Sequence, residues 1–226
     1  MDLRVYVGYD TREDIAYQVC KHSILNKQPN ADVRPLKQQE LRDAGWYKRS
    51  VDKLASTEFT FTRFLVPELA GFKGWAVFMD CDMILTTDIK ELFDQADDKY
   101  AVMCVKHDYT PKEGTKMDGQ KQTVYPRKNW SSVMLFNCGH PSNAVLTQDL
   151  VNEPEINGAY LHRFSWLKDE EIGELDHTWN YLVGWYNDIE KPKLIHYTEG
   201  GPWFENYREC EFADLWKNEL FDMMKK

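Results

Sequence analysis

The sequence predicts an α/β domain in which helices flank a central, mostly parallel sheet. Short apolar runs with the length of buried strands alternate with segments whose apolar residues recur at helical spacing. This alternation is typical of βαβ units. A chain of 226 residues fits one domain with a core of its own, so we expect a single domain over residues 1–226.

The first predicted unit is a strand that leads into a helix. Residues 3–8 form a short apolar run that ends at a Gly-Tyr-Asp turn. Thr11, with Asp14 three residues later, is a helix-start signal, and apolar residues continue it at helical spacing. The mixed polar segment 30–58 shows no pattern from which an element can be assigned.

The next elements surround the clearest strand of the chain. Residues 75–79, Trp-Ala-Val-Phe-Met, are uniformly apolar and predict a buried strand, and a second apolar run follows at 83–85. A helix is predicted over 59–69, with Pro67 expected to end or distort it. The remaining predictions are a helix that Thr87-Asp88 caps and that continues through Phe93, strands at 101–105, 131–137 and 194–196, a helix at 142–150, and a polar surface excursion at 106–129.

The charge of the chain argues against nucleic acid as a partner. Lys and Arg number 28 against 37 Asp and Glu, which gives a formal net charge of −9. Binding to a duplex needs the opposite, a cationic surplus that displaces counterions from phosphates. An acidic protein that handles a diphosphate would need local neutralisation, which a divalent cation can supply.

Three features predict a cytoplasmic location. The N-terminus carries Asp2 and lacks the apolar core of a signal peptide, and no apolar stretch reaches the ~20 residues that cross a bilayer. The 5 cysteines show no CxxC pairing. We therefore expect reduced thiols and no transmembrane segment, while peripheral membrane contact through the Lys-rich end, Met224-Lys225-Lys226, stays open.

The most informative motif is a pair of carboxylates, Asp80 and Asp82, directly after the predicted strand 75–79. In an extended chain, side chains two residues apart point the same way and lie about 6–7 Å apart. Both carboxylates can therefore converge on one hard cation. On spacing alone a solvated Asp-x-Asp turn is the better explanation. Ligands of open α/β sheets collect at the carboxyl ends of strands, so the position after the strand makes a metal site an equal alternative.

A second motif, His-Tyr-Thr-Glu-Gly-Gly-Pro-Trp, begins at His196 and ends at Trp203. An imidazole at a strand end can complete a metal site, and the pair Gly200-Gly201 lets the backbone approach a phosphate closely. Taken alone, the same residues are better explained as a histidine at a strand end followed by a Gly-Gly-Pro turn.

Together, the motifs of most of the chain resemble the retaining glycosyltransferases of family 8, the glycogenin and lipopolysaccharide-galactosyltransferase type, which have a GT-A fold. Six segments occur in the family's order. They are Tyr6-Val7-Gly8-Tyr9-Asp10, Thr62-Arg63-Phe64-Leu65-Val66-Pro67, Val77-Phe78-Met79-Asp80-Cys81-Asp82, Trp130-Ser131-Ser132-Val133-Met134-Leu135-Phe136-Asn137 (similar to the family's "NSGVMLFN"), Asp169-Glu170 followed by Leu175-Asp176-His177-Thr178-Trp179-Asn180, and His196…Gly200…Pro202-Trp203.

The resemblance implies a role for each matched position. A divalent cation, Mn²⁺ or Mg²⁺, would be bound by Asp80, Asp82 and His196, with Asp80 also near the ribose. The base of a UDP-sugar donor would be bound at the end of the first strand, by Val7, Tyr9 and Asp10. Six further residues would contact the donor sugar and its diphosphate: Arg63, Asn137, Asp169, Glu170, Gly200 and Gly201.

The implied activity is transfer of a hexose from the UDP-sugar to a glycan or lipid-linked acceptor. Residues 1–105 would form the nucleotide-binding half and 106–226 the acceptor-side half, where Lys106 and His107 are further candidates for acceptor contact. The cation would stabilise the leaving diphosphate, and Asp169 or Glu170 would stabilise or add to the oxocarbenium-like carbon. A covalent intermediate and same-face attack both stay open.

Three positions depart from the family pattern. The final motif is one residue shorter and has Gly201 where the family has a phosphate-binding Lys; Glu170 replaces a Gln; and Asp176 stands in place of a Pro. Backbone amides or another cation would then have to meet the phosphate.

Two other functions remain as alternatives. A sugar nucleotidyltransferase usually has a Gly-rich, basic loop after its first strand, and the single glycine at position 8 argues against that class. A non-catalytic nucleotide-sugar-binding protein would keep the metal motif without turnover. A glycosyltransferase would release UDP, a nucleotidyltransferase would release pyrophosphate, and a binding protein would bind the nucleotide sugar without releasing either product.

Overall fold

A computed structural model describes residues 2–50, 55–107, 127–186 and 191–225 of the chain. The strands are β1 (Arg4–Gly8), β2 (Asp32–Leu36), β3 (Trp75–Met79), β4 (Met83–Leu85), β5 (Val102–Cys104), β6 (Val133–Asn137), β7 (Ile172–Glu174), β8 (Tyr181–Leu182) and β9 (Leu194–His196). The α-helices are α1 (Asp14–Lys27), α2 (Gln38–Asp43), α3 (Val66–Leu69), α4 (Lys90–Phe93), α5 (Gln148–Asn152), α6 (Gly158–His162) and α7 (Ala213–Met224).

Six strands form the central sheet in the order β2-β1-β3-β6-β5-β7. β1 is parallel to both β2 and β3, and β5 is parallel to β7, whereas β6 runs antiparallel to its neighbours β3 and β5. Five of the six strands therefore share one direction, which confirms the predicted α/β fold with a mostly parallel sheet.

A second, smaller sheet has the order β4-β9-β8, with β9 antiparallel to β4 and parallel to β8. Helix α1 packs against β4, and α7 packs against α1. Between them lies a separate apolar cluster formed by Val19, Ile84, Ile195, Tyr197 and Trp216. Full burial of a side chain such as Val or Ile stabilises a fold by roughly 1.5–3 kcal/mol, so this cluster fixes the small sheet beside the large one.

The central strand β3 explains why the most apolar run of the sequence is the best-predicted element. All five of its residues are buried, because it has β1 on one side and β6 on the other. A strand that is buried on both faces carries apolar residues on both, so its sequence shows no alternation of apolar and polar residues. The predicted bounds of β3, β4 and β9 are those of the structure, and β1, β5 and β6 lie within the predicted runs.

Strand β2 and helix α2 fall in the segment from which no element could be assigned. β2 is an edge strand with alternating exposure, and Arg34 pairs with Asp32 on its surface at 2.6 Å. Charged residues and a proline, here Pro35, are typical of sheet edges. The features that protect this edge also remove the apolar signal by which a strand is recognised.

The helix predicted over 59–69 is instead two short elements. A 3-10 helix spans Thr62–Leu65 and continues into α3, where Pro67 occupies the first turn. A proline at that position sacrifices no helical hydrogen bond, so the expectation that Pro67 ends or distorts a helix was wrong. The helix predicted over 142–150 is likewise divided, into a 3-10 helix over Pro141–Val145 and α5, whose cap is the Thr147 side chain.

Much of the predicted surface excursion, residues 108–126, lies outside the described residues, as does Lys226. None of the helices in the described part of the chain is long and apolar enough to cross a membrane. The division into a nucleotide-binding and an acceptor-side half stays a prediction.

Candidate active site

The turn between β3 and β4 presents Asp80 and Asp82. The Asp80 amide donates to the Ser132 carbonyl at 3.0 Å, and the Asp82 carbonyl accepts from the Tyr197 amide at 2.9 Å, so the turn is held by both sheets. Cys81, between the two carboxylates, is buried, with its Sγ 3.8 Å from Oε2 of Glu13. Burial raises the pKa of this thiol well above its ordinary value, as expected for a turned-away core cysteine.

Strand β9 brings His196 to the two carboxylates. It runs antiparallel to β4, and the register places His196 opposite Met83, the residue after Asp82. One ligand atom from each of Asp80, Asp82 and His196 lies within 4.8 Å of the others, and Nε2 of His196 is 3.4 Å from Oδ1 of Asp82. The three predicted metal ligands therefore form one group.

The chemistry of this group fits a divalent cation. Two carboxylates and an imidazole suit Mn²⁺ or Mg²⁺. Oδ1 of Asp82 is buried and has no hydrogen-bond partner among the described residues, although a buried oxygen without a partner is costly. Burial opposes ionisation of Asp82, but the adjacent His196 outweighs it and keeps the pKa of Asp82 below its ordinary value. The carboxylate is thus in its metal-binding form.

Arg63 is buried and holds Asp80. Its Nη1 donates to Oδ1 of Asp80 at 2.9 Å and to the Ser131 carbonyl at 2.8 Å, and its Nε donates to the Phe59 carbonyl at 3.3 Å. The guanidinium also lies over the rings of Phe59 and Phe78. The donor-side arginine predicted from the sequence therefore holds the carboxylate of Asp80, a predicted metal ligand.

The other nitrogen of His196 faces a residue to which the sequence analysis gave no role. Nδ1 of His196 lies 2.9 Å from Oδ1 of Asn180. The Asn180 amide nitrogen reaches Oγ of Ser132 at 2.8 Å and the Asn129 carbonyl at 3.2 Å. The only signal in the sequence was the Trp-Asn pair of the resemblance.

The end of β1 lies beside the metal-ligand group, because β1 pairs in parallel with β3 and places Val7 opposite Met79. Val7 is fully buried. The Tyr9 hydroxyl donates to Oδ1 of Asp14 at 2.7 Å, and its ring packs edge-on against Tyr17. These positions border the place where a base could lie.

Asp10, the third of the predicted base-binding residues, is fully buried and shapes this loop. Its Oδ1 accepts from the Arg12 amide at 3.0 Å and from Arg12 Nε at 2.9 Å, and its Oδ2 accepts from the Glu58 amide at 3.1 Å. Burial opposes ionisation, but the hydrogen bonds from Arg12 and Glu58 hold the pKa of Asp10 below its ordinary value. The carboxylate thus caps the turn after β1 and joins it to residue 58.

Glu13 adds a further acidic group beside the metal ligands. Burial first, and then the charges of Asp82 and Asp10, raise its pKa to about 8. A raised pKa is the expected result for a carboxyl group that is partly removed from water beside other carboxylates.

Of the two glycines after β9, Gly201 lies against the aromatic ring of Trp203. A Cβ on Gly201 would lie 1.9 Å from Cζ3 of Trp203, and that ring also packs against Tyr197 and Trp216. Gly200 adopts a positive φ of 136°, a conformation that favours glycine. The glycine at 201 is thus required by the packing of Trp203, and the predicted contact of this pair with a phosphate stays a prediction.

One predicted donor-sugar residue, Asn137, lies away from the metal-ligand group. The β3–β6 register places Asn137 opposite Trp75, at the end of β3 remote from Asp80, about 13 Å along the strand from Val133. The Ala101 amide donates to the Glu171 carbonyl, and the Asn137 amide donates to the Ala101 carbonyl, so β7 starts at that same remote end. The antiparallel register therefore separates Asn137 from Asp80, and its predicted contact with the donor stays a prediction.

Asp169 and Glu170 precede β7. Both are exposed, with the Asp169 side chain 86% accessible and paired to Arg127. Their predicted contact with the donor sugar stays a prediction.

A polar residue that the sequence analysis missed lies closer to the group. His162, at the end of α6, has its Nδ1 2.6 Å from Oγ of Ser131, whose carbonyl accepts from Arg63. Burial, and then the charge of Arg63, lower the pKa of His162 to about 3, so it is a neutral hydrogen-bonding group. No motif in the sequence marked it.

A cavity of about 490 Å³ opens at the carboxyl ends of β5 and β7, the sheet edge to which the metal ligands also belong. The rings of His107 and Tyr186 stack there at 6.0 Å, and Nδ1 of His107 lies 2.6 Å from the Tyr186 hydroxyl. Lys106, Glu174, Asp176 and His177 also line it. Both acceptor candidates of the sequence analysis, Lys106 and His107, are in this cavity.

Comparison with known proteins decides the family. The model of the family described as glycosyl transferase family 8 matches residues 6–207. The chain belongs to glycosyl transferase family 8. It is accordingly a glycosyltransferase, an enzyme that transfers a glycosyl group. A curated relative, "Protein CDI" of Arabidopsis thaliana, is 56% identical over 229 residues, which cover 99% of this chain and 88% of the relative.

Solved structures show that the family-8 chain has the GT-A fold. The bifunctional glycosyltransferase WbbM in its apo form superposes with a TM-score of 0.68 at 16% identity, over 99% of this chain and 51% of that one. GlyE of Streptococcus pneumoniae gives 0.65 at 14%, over 97% and 60%. The galactosyltransferase LgtC, with donor and acceptor sugar analogues, gives 0.60 at 10%, over 98% and 96%. This chain spans about half the length of WbbM.

Proposed function

We propose that this family 8 enzyme is a metal-dependent, retaining hexosyltransferase that uses a UDP-sugar, with Mn²⁺ or Mg²⁺ held by Asp80, Asp82 and His196. The observation that carries the proposal is the convergence of these three side chains, with a buried Asp82 oxygen that lacks a partner among the described residues. The site lies beside the end of β1, where Tyr9 and the loop shaped by Asp10 border the space for the base.

Each residue of the group has a distinct task in this proposal. Asp80 and Asp82 supply negative charge for the cation, Arg63 holds the Asp80 carboxylate at 2.9 Å, and His196 supplies a nitrogen ligand. When bound, the cation would stabilise the negative charge that develops on the departing diphosphate. Asn137 is not assigned to this group, since the register pairs it with Trp75 at the other end of β3, and Asp169 and Glu170 keep their predicted place near the donor sugar.

The cavity at the ends of β5 and β7 is the proposed acceptor side. Its volume of about 490 Å³ is in the range of ligand pockets, which combine aromatic walls with a few polar groups. Tyr186 and His107 offer aromatic faces, and the carboxylates of Glu174 and Asp176 can accept hydrogen bonds from hydroxyls. These groups suit a glycan acceptor that presents hydroxyls. The predicted cytoplasmic location and peripheral membrane contact stay predictions.

The test begins with calorimetric titration of UDP in the presence of Mn²⁺ and again with EDTA. The wild type should bind only with Mn²⁺, and Asp82→Ala should abolish binding. Asp149→Ala removes an exposed carboxylate on α5 and should bind UDP as the wild type does. Binding that survives EDTA or Asp82→Ala would refute the proposed metal site.

A second stage tests the reaction itself. The wild type would be incubated with a panel of UDP-hexoses and neutral oligosaccharides, and the released nucleotide measured. UDP release with sugar transfer supports the proposal; pyrophosphate release would indicate a nucleotidyltransferase, and UDP binding without release a binding protein. An α-configured product from an α-configured donor would confirm retention.

A further inference from the structure

Asn180 connects the metal ligand His196 to the turn that also holds Asp80. It is the last residue of the 3-10 helix His177–Asn180 and is fully buried, immediately before β8. Its side chain reaches His196 on one side and the segment that contains Asn129 and Ser132 on the other. The Ser132 carbonyl in turn accepts from the Asp80 amide at 3.0 Å. One buried chain of hydrogen bonds thus spans both sheets.

The hydrogen bonds determine which way the Asn180 amide points. The Asn129 carbonyl can only accept, and the Ser132 hydroxyl donates its proton to that same carbonyl at 2.7 Å, which leaves Oγ of Ser132 to accept. The amide nitrogen of Asn180 donates to both, so its Oδ1 faces His196. An amide oxygen has no proton to give, so Nδ1 of His196 must be the donor.

This assignment leaves the lone pair of a neutral His196 on Nε2. Nε2 is the nitrogen that faces Oδ1 of Asp82 at 3.4 Å. Two electron-rich atoms at that separation call for a proton or a metal cation between them, and a metal cation binds Nε2 only when that nitrogen carries no proton. A metal-ligating histidine commonly has its other nitrogen hydrogen-bonded by a neighbouring oxygen that fixes the tautomer. We propose that Asn180 is a positioning residue that holds His196 in the Nδ1–H tautomer and thereby sets the affinity of the site for the divalent cation. The inference rests on the proposed metal-dependent function.

The first measurement uses metal-free wild-type protein and needs no variant at Asn180. Long-range ¹H–¹⁵N correlation spectra of histidine-labelled protein at alkaline pH show which ring nitrogen carries the proton, and comparison with His196→Gln assigns the resonance. We expect the proton on Nδ1. A proton on Nε2 would overturn the inference, whatever any variant does.

The second measurement is Mn²⁺ affinity in the presence of UDP, read from the free Mn²⁺ signal in electron paramagnetic resonance. Asn180→Ala should weaken binding by about 10–100-fold, the usual effect of losing such a partner. Asn180→Asp keeps an oxygen facing Nδ1, so it should retain the Nδ1–H tautomer and bind Mn²⁺ more tightly than Asn180→Ala. Wild-type affinity in a folded Asn180→Ala variant would overturn the inference.

Asn143→Ala is the matched control. Asn143 is also fully buried, and its amide donates to the Ala101 and Asn137 carbonyls at 2.7 and 2.8 Å, at the remote end of β6. Its loss should lower stability and leave Mn²⁺ affinity unchanged. Equal losses of affinity in both variants would assign Asn180 a merely structural role. Failure of the wild type to bind Mn²⁺ at all would instead refute the proposed function and leave the tautomer result standing.

Discussion

Nη1 of Arg63 lies 2.9 Å from Oδ1 of Asp80, and both side chains are largely removed from water, at 6% and 15% accessible. The same nitrogen donates to the Ser131 carbonyl at 2.8 Å. The charge of the Asp80 carboxylate, a proposed ligand of the cation, is thus compensated by Arg63. The proposed role of Arg63 is to orient Asp80, at a position where the sequence indicated contact with the donor.

Replacing Arg63 with Met should lower the free energy of unfolding by about 3–5 kcal/mol, because the loss of one partner leaves a buried charge uncompensated. Chemical denaturation of metal-free protein measures this. Arg34→Met is the control, since the Arg34–Asp32 pair is about half exposed on both sides and such surface pairs contribute under about 1 kcal/mol. Similar losses in the two variants would contradict a buried pair at Arg63.

Replacing Gly201 with Ala should destabilise the protein by about 1–3 kcal/mol, the usual effect of overpacking. The added Cβ would lie 1.9 Å from the Trp203 ring. In a Trp203→Leu background the same change should have a smaller effect, which a double-mutant cycle measures. Gly158→Ala is the matched control, because its Cβ would meet only His162 Cδ2 at 3.7 Å. A Gly201→Ala penalty that is independent of Trp203 would contradict this explanation.

Acid should destabilise the protein through His162. Its folded-state pKa is lowered to about 3 by burial and by Arg63, whereas an unfolded histidine has a pKa of about 6.5. Between these values the unfolded state binds a proton that the native state does not. The stabilisation is therefore complete above about pH 6.5 and is lost as the pH falls toward 3, by up to about 1.4 kcal/mol per pH unit.

The measurement is the free energy of unfolding against pH for the wild type and for His162→Gln. In the variant, the free energy of unfolding should fall less steeply as the pH decreases. The difference in slope should correspond to up to one proton per molecule, whatever the stability of the variant at neutral pH. In the wild type, the His162 ring resonances should not titrate above about pH 4. If the free energy of unfolding depends on pH in the same way in both proteins, His162 is not the group that causes the loss of stability in acid.

Mn²⁺ with UDP should stabilise the folded protein in a manner that depends on Asp82. At a free ligand concentration a hundred times the dissociation constant, the free energy of unfolding should rise by about 2.7 kcal/mol. Asp82→Asn should show no such rise, because an amide is a weak ligand for a hard cation. Asp149→Asn, an exposed change on α5, should respond as the wild type does. A full response in Asp82→Asn would locate the metal elsewhere.

The sequence by itself determined the local features of this protein. The uniformly apolar run of β3 and the two carboxylates that follow it are adjacent along the chain, so strand and candidate ligands could be predicted together. The short apolar β9 with His196 at its end was predicted in the same way. These predictions needed only the chemistry of neighbouring residues, and the family resemblance supplied the order of the motifs.

Only the tertiary structure decided which distant residues meet. The antiparallel direction of β6 carries Asn137 away from Asp80. The same register brings Ser132 to Asp80, while β8 and β9 bring Asn180 to His196. The direction and register of a strand depend on partners far away in the chain, so the pattern of one segment does not encode them.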